Sequence, residues 1–177
     1  LDLSRFTSLH YVVDIIANPL CTKLCFEAKR LGIPHLGGFE MLVRQALAAD
    51  RYFLRKDVDE KLVVPCMNAL LEERRNIVLT GMPTSGKTTI AEKLQELTGK
   101  HMEGKGEIIS CGGGVIKTPE TIRALCSNGT VIWIDRDLNY LYSTSDRPLA
   151  SDQKQVLDLY QQRLPLYDMY SDIHVKN

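Results

Sequence analysis

Residues Gly81-Met82-Pro83-Thr84-Ser85-Gly86-Lys87-Thr88 spell G-x-x-x-x-G-K-T. What surrounds them gives that pattern physical meaning. Just before it, Asn76-Ile77-Val78-Leu79-Thr80 reads as a short buried strand; just after it, Thr89 to Leu97 reads as an amphipathic helix. Strand, glycine loop and helix in that order make a phosphate cradle. Gly81 and Gly86 let the backbone turn so that its N–H groups face one anion, and the helix dipole adds to their pull. Residues Gly81, Met82, Pro83, Thr84, Ser85, Gly86, Lys87, Thr88 and Thr89 are therefore the expected nucleotide-binding set. Lys87 would reach the β- and γ-phosphates of ATP, and the Thr88 hydroxyl would ligate Mg²⁺.

Working outward, the downstream sequence alternates strands with helices. Glu107-Ile108-Ile109-Ser110-Cys111 is a strand that runs into Gly112-Gly113-Gly114, and Thr118-Pro119 opens a helix that ends at Asn128-Gly129. Thr130 to Asp135 is another buried strand, a polar loop spans Ser143 to Asp152, and a long helix runs from about Gln153 to Tyr170. Pro165 is expected to kink or split that helix, and Asp172 to Val175 closes as a last strand. This alternation predicts an α/β fold, a parallel sheet flanked by helices.

Upstream, Tyr11 to Ile16 reads as a strand stopped by Asn18-Pro19. Helices follow over about Cys21–Leu31 and Phe39–Leu54, the second with an apolar stripe of Leu42, Val43, Ala46, Ala49 and Phe53. A charged stretch, Arg55 to Lys61, and a short helix with Pro65 in its first turn connect this part to the phosphate-loop strand. The expected division is thus 1–54 as an N-terminal strand-helix-helix piece, 55–75 as linker, and 76–177 as the phosphate-loop domain.

Composition narrows the function classes. Lys plus Arg and Asp plus Glu both number 22, so general attraction to nucleic acid or to an anionic membrane has no electrostatic basis. No apolar run approaches the roughly 20 residues of a membrane span. Five cysteines, an odd count without a dense framework, point to a reducing cytoplasm. Cys21 and Cys25 are spaced to touch one metal ion, but nothing completes such a site, and core packing is the expectation for both.

The triple glycine at the carboxyl end of a strand lies where doubly wound folds bind ligands. Arg147-Pro148-Leu149 sits in the polar loop, and Arg163-Leu164-Pro165-Leu166-Tyr167 lies on the last helix. A loop arginine suits phosphoryl transfer, and a fixed helix arginine suits bidentate capture of a carboxylate. Taken singly, each arginine reads as a surface residue.

Together with the phosphate loop and Ser110-Cys111-Gly112-Gly113-Gly114-Val115, these motifs resemble shikimate kinase over about Asn76 to Asn177. The resemblance implies ATP-dependent phosphorylation of the shikimate 3-hydroxyl and a five-stranded parallel sheet. It also implies that Lys87 and Arg147 are catalytic, with Arg147 on a mobile lid. Gly112, Gly113, Gly114 and Arg163 would bind shikimate, Arg163 through its carboxylate. One departure stands out. The family carries an Asp-x-Asp element and a Phe-Arg-x-x-Glu motif between the phosphate-loop helix and the triple glycine. Here that connection is Thr98 to Gly106, without aspartate or arginine and too short for the strand that the family places beside the phosphate-loop strand. Either a natural polypeptide has further residues between Lys100 and Gly106, or the chain is a shortened relative. The alternatives in function are another small-molecule kinase and a non-catalytic ATP-binding module.

Residues 1 to about 54 resemble the C-terminal end of shikimate dehydrogenase. The residues that carry this are Val13-Asp14-Ile15-Ile16, Asn18-Pro19-Leu20, Thr22, Gly38, Met41-Leu42-Val43 and Gln45-Ala46. The resemblance implies contact of Gln45 with shikimate, but the chain has neither the family's catalytic Lys and Asp nor a cofactor loop. It also implies a covalent fusion of dehydrogenase and kinase, enzymes that act on the same metabolite in successive steps.

Overall fold

The computed structural model describes residues 2–55, 57, 59–100, 106–141 and 153–177. They fall into two compact units, Leu1–Arg74 and Arg75–Asn177.

In the first unit, β1 (Val12–Val13) pairs in parallel with β2 (His35–Leu36) across helix α1 (Lys23–Arg30). The strand expected over Tyr11 to Ile16 is thus reduced to two residues. The cause is local: the Asp14 carboxylate accepts the Ile16 N–H at 3.0 Å and the Thr22 hydroxyl, which turns the chain out of the ladder. Thr22 in turn caps α1 by accepting the Cys25 N–H. Leu3, Val12 and Ala28 form the buried centre here. Helix α2 (Phe39–Leu54) has the expected bounds but buries another face. Phe39, Val43 and Leu47, spaced by one turn, pack on Val63, Met67 and Leu71 of α3 (Val63–Arg74). Leu42 and Phe53 of the expected stripe are exposed instead, Phe53 at 84%. All five cysteines are free thiols, and Cys25 is buried in the core as expected.

In the second unit, β3 (Asn76–Thr80) leads into α4 (Lys87–Thr98), followed by β4 (Ile108–Ser110), α5 (Pro119–Asn128), β5 (Gly129–Asp135), α6 (Gln153–Tyr170) and β6 (Ile173–Lys176). The sheet order is β4-β3-β5-β6 and every pairing is parallel. Alternation along the strands supplies two buried faces. Leu79, Ile108 and Ile134 pack with Ala91 of α4 on one side. On the other, Trp133 stacks on Tyr167 of α6, centroids 5.5 Å apart, and on its cross-strand neighbour His174 at 4.0 Å.

Two expectations change. Among the described residues the sheet has four strands, not five. The phosphate-loop strand nonetheless has a neighbour on each side, β4 and β5, so the short connection before Gly106 does not deprive it of a partner. Asn76 accepts the N–H groups of Gly106 and Glu107, which brings β4 alongside β3. Helix α6 runs unbroken through Pro165; the helix neither splits nor stops at the proline.

Leu79 is wholly buried between β4 and α4. Leu79→Ala is expected to lower stability by about 2–5 kcal/mol, read as a shift of the urea midpoint. Burial pushes the Tyr167 phenol up from 10.0 to about 12, against an opposing pull from Arg163. Its contribution to stability is therefore complete below pH 10 and is lost as the pH rises towards about 12, because only the unfolded chain ionises in that window. An ultraviolet titration should show one phenol ionising last, and Tyr167→Phe should remove it.

Candidate active site

The phosphate loop leaves β3 at Gly81 and enters α4 at Gly86, both with positive φ, 147° and 92°. Thr84 also has positive φ, 64°, one of two described residues other than glycine that do. The Lys87 ammonium is buried and donates to the carbonyls of Gly81 at 3.1 Å and Met82 at 2.6 Å, with Ser85 Oγ at 3.4 Å. These bonds hold the charge inside the loop and leave it one side-chain rotation from an anion placed in the cradle. Thr88 and Thr89 are exposed in the first turn of α4, so the Thr88 hydroxyl is open to a cation.

The triple glycine follows β4. Gly112 and Gly114 have open space where a Cβ would stand. Gly113 does not: a Cβ there would lie 2.9 Å from Arg163 Nη1, 3.1 Å from the Gly81 carbonyl and 3.1 Å from Pro83 Cδ. The structure thus brings three expected elements, the phosphate loop, the triple glycine and α6, to one point. Tyr167, one turn after Arg163, donates its hydroxyl to the Gly113 carbonyl at 3.2 Å and fixes the glycine turn on α6.

Arg163 is 6% exposed, and its Nε and Nη1 have no hydrogen-bond partner among the described residues. A guanidinium is always charged and carries five donors in a rigid fork. Buried with donors unspent, it is a receptor for a planar anion such as a carboxylate. The fork lies against Gly113, beside the phosphate loop.

The expected lid residue, Arg147, lies outside the described residues. Arg136, just past β5, was not expected in the site. Its Nη1 donates to the Thr84 carbonyl at 3.2 Å, and its guanidinium sits 5.8 Å from the Tyr140 ring centre. The sequence signal was only an arginine directly after a strand, which is too common to mark a role. Asp135, at the end of β5, is held by Tyr160 at 3.3 Å and His174 at 3.1 Å. Burial pushes the Cys111 thiol, beside the triple glycine, up from its ordinary value, with Lys87 opposing. It stays protonated and unreactive at neutral pH.

In the first unit, Gln45 is exposed on α2. The chain is similar to the shikimate dehydrogenase (NADP(+)) of Sulfolobus acidocaldarius, 40% identical over 58 residues, 33% of this chain and 22% of that protein. Shikimate kinases match as well. That of Clostridium beijerinckii is 39% identical over 79 residues, covering 42% of this chain and 46% of its own. That of Clostridium botulinum strain Eklund 17B is 30% identical over 108 residues, covering 59% of this chain and 64% of the relative. The chain spans less than two thirds of the length of each of these curated relatives. In fold, the chain is similar to the shikimate kinase from Acinetobacter baumannii in complex with shikimate, with a TM-score of 0.55 at 20% identity over 62% of this chain and 87% of that one. The family model described as shikimate kinase matches residues 86–177, just over half of the sequence. The chain belongs to the shikimate kinase family.

Proposed function

We propose that the protein transfers the γ-phosphoryl group of ATP to the 3-hydroxyl of shikimate. The observation that carries this reading is Arg163: a buried guanidinium with unspent donors, packed on Gly113 at the rim of the phosphate loop. An acceptor whose carboxylate sits on that fork is anchored at one end and can turn a hydroxyl at its other end towards the cradle. Such anchoring supplies the orientation on which phosphoryl transfer depends.

In this reading the N–H groups of the loop and the start of α4 receive the phosphates. Lys87 exchanges the Gly81 and Met82 carbonyls for phosphate oxygens and neutralises charge as the group moves. Arg147 would close over the same charge from the polar loop. Thr88, exposed at the head of α4, would hold a Mg²⁺ ion through its hydroxyl. When bound, that ion would supply charge neutralisation between the phosphates. Gly112 and Gly114 leave the substrate room to approach the backbone, and Gly113 between them would meet it beside Arg163.

We further propose that residues 1–54 are a piece of a dehydrogenase module joined covalently to the kinase through 55–75. The 58-residue match to a shikimate dehydrogenase supports this. No described helix is long and apolar enough to cross a membrane, and five free thiols fit a reducing cytoplasm. A second reading, nucleotide binding without transfer, is favoured by one feature: the connection Thr98 to Gly106 contains no aspartate to orient magnesium and the attacking hydroxyl.

The test is ATP turnover by the purified protein across a panel of hydroxy acids and nucleotides. Shikimate-dependent ADP release is expected, and tight ATP binding without release under every acceptor would establish the second reading. Lys87→Ala should lower kcat by about 100-fold or more with little change in the KM for shikimate. Arg163→Ala should raise the KM for shikimate by about tenfold or more and that for ATP far less. Equal losses for both substrates would remove the carboxylate role from Arg163.

A further inference from the structure

The phosphate loop contains a conformational conflict. Thr84 has φ 64°, in the left-handed region that a residue branched at Cβ resists most. Its hydroxyl is turned onto the Pro83 carbonyl at 2.6 Å and caps no neighbouring N–H group that would reward the turn. The Ser85 N–H closes the turn on the Met82 carbonyl at 3.2 Å, and groups outside the loop reinforce it. Two side chains from the adjoining strand ends do so at consecutive peptides. Arg136, directly after β5, donates to the Thr84 carbonyl at 3.2 Å. Asn177, directly after β6, donates to the Ser85 carbonyl at 2.9 Å, and its own N–H is fixed on the Asp135 carbonyl at 2.7 Å.

We propose that Arg136 is a positioning residue for the phosphate loop. Its guanidinium pins the Thr84 carbonyl and so keeps Thr84 in the left-handed backbone that gives the cradle its shape, with Asn177 steadying the next peptide. Because a peptide is planar and trans, a carbonyl tied to the strand ends sends the following N–H the opposite way. Tyr140 limits where the guanidinium can swing, since the two lie 5.8 Å apart in cation–π geometry. The bond is charge-assisted and spans from Arg136 to the loop, so its loss is felt in the loop and not in the sheet. This inference rests on the nucleotide-binding reading only for its functional consequence. The strain and its restraint exist without ligand.

The experiment is a cycle in which Arg136→Ala is made in the natural background and in Thr84→Gly. Glycine adopts positive φ freely, so in that background the clamp has nothing to oppose. ATP binding by calorimetry should weaken about tenfold on Arg136→Ala in the natural background and by less than about twofold in the glycine background. The urea midpoint without nucleotide should show the same coupling. Equal effects of Arg136→Ala in both backgrounds would overturn the proposal and leave Arg136 as a direct phosphate contact or a surface cation. If the unsubstituted protein binds no ATP, the kinase reading fails, while the urea cycle still decides the clamp. Should Arg136→Ala alone fail to fold, folding of the double variant supports the clamp, and its failure to fold refutes it.

Discussion

The second unit depends on a close approach that only a hydrogen atom permits. At Gly113 the Gly81 carbonyl, the Pro83 ring and the Arg163 guanidinium converge on the space where a side chain would begin. Gly113 belongs to the loop after β4, and the groups that meet it come from the loop after β3 and from helix α6. Each is placed by a different part of the parallel sheet. Register between β3 and β4 aligns Leu79 with Ser110, so both loops leave the sheet at the same height. The Trp133–Tyr167 stack seats α6 on the opposite face of β5, one turn from Arg163. A site assembled this way follows from the sheet's parallelism: all carboxyl ends share one edge, and ligands bind there.

Much of the second unit was legible from residue pattern, for a physical reason. Its central strands β3 and β5 are largely apolar runs bounded by charge or glycine, and helix α5 begins on the clear signal Thr118-Pro119. β3 and α2 have the expected bounds. The first unit was harder to read. The run Tyr11 to Ile16 looks like a strand by propensity, yet Asp14 diverts it by bonding to Ile16 and Thr22, contacts that periodicity does not register. Helix α2 offers apolar residues on several faces, and only the partner α3 selects Phe39, Val43 and Leu47. Pro165 misleads in the other direction. Proline disfavours a helix interior, but packing of α6 through Val156, Tyr167 and Tyr170 outweighs one lost backbone bond.

The site was legible in its motifs and opaque in its restraints. G-x-x-x-x-G-K-T announces itself because phosphate binding demands those residues at that spacing. The burial of Arg163 could not be read from the sequence, since an arginine on a helix is far more often exposed. Nor could the Arg136–Thr84 bond, which joins positions 52 residues apart and needs both the loop conformation and the end of β5 to be known.

The two buried cations of the site differ in a way that bears on how it fills. Lys87 is already solvated by loop carbonyls, so phosphates must displace good hydrogen bonds and the net gain is a difference between similar terms. Arg163 has donors with no protein partner among the described residues, and an incoming carboxylate displaces at most water. A buried charge without a counter-ion destabilises the fold by an amount that a matching anion recovers. Filling the Arg163 side should therefore stabilise the folded protein by more, per charge neutralised, than filling the Lys87 side. The coupling between them is built into Gly113, whose position both the loop and α6 share: an anion that settles Arg163 also settles one wall of the cradle in which Lys87 turns.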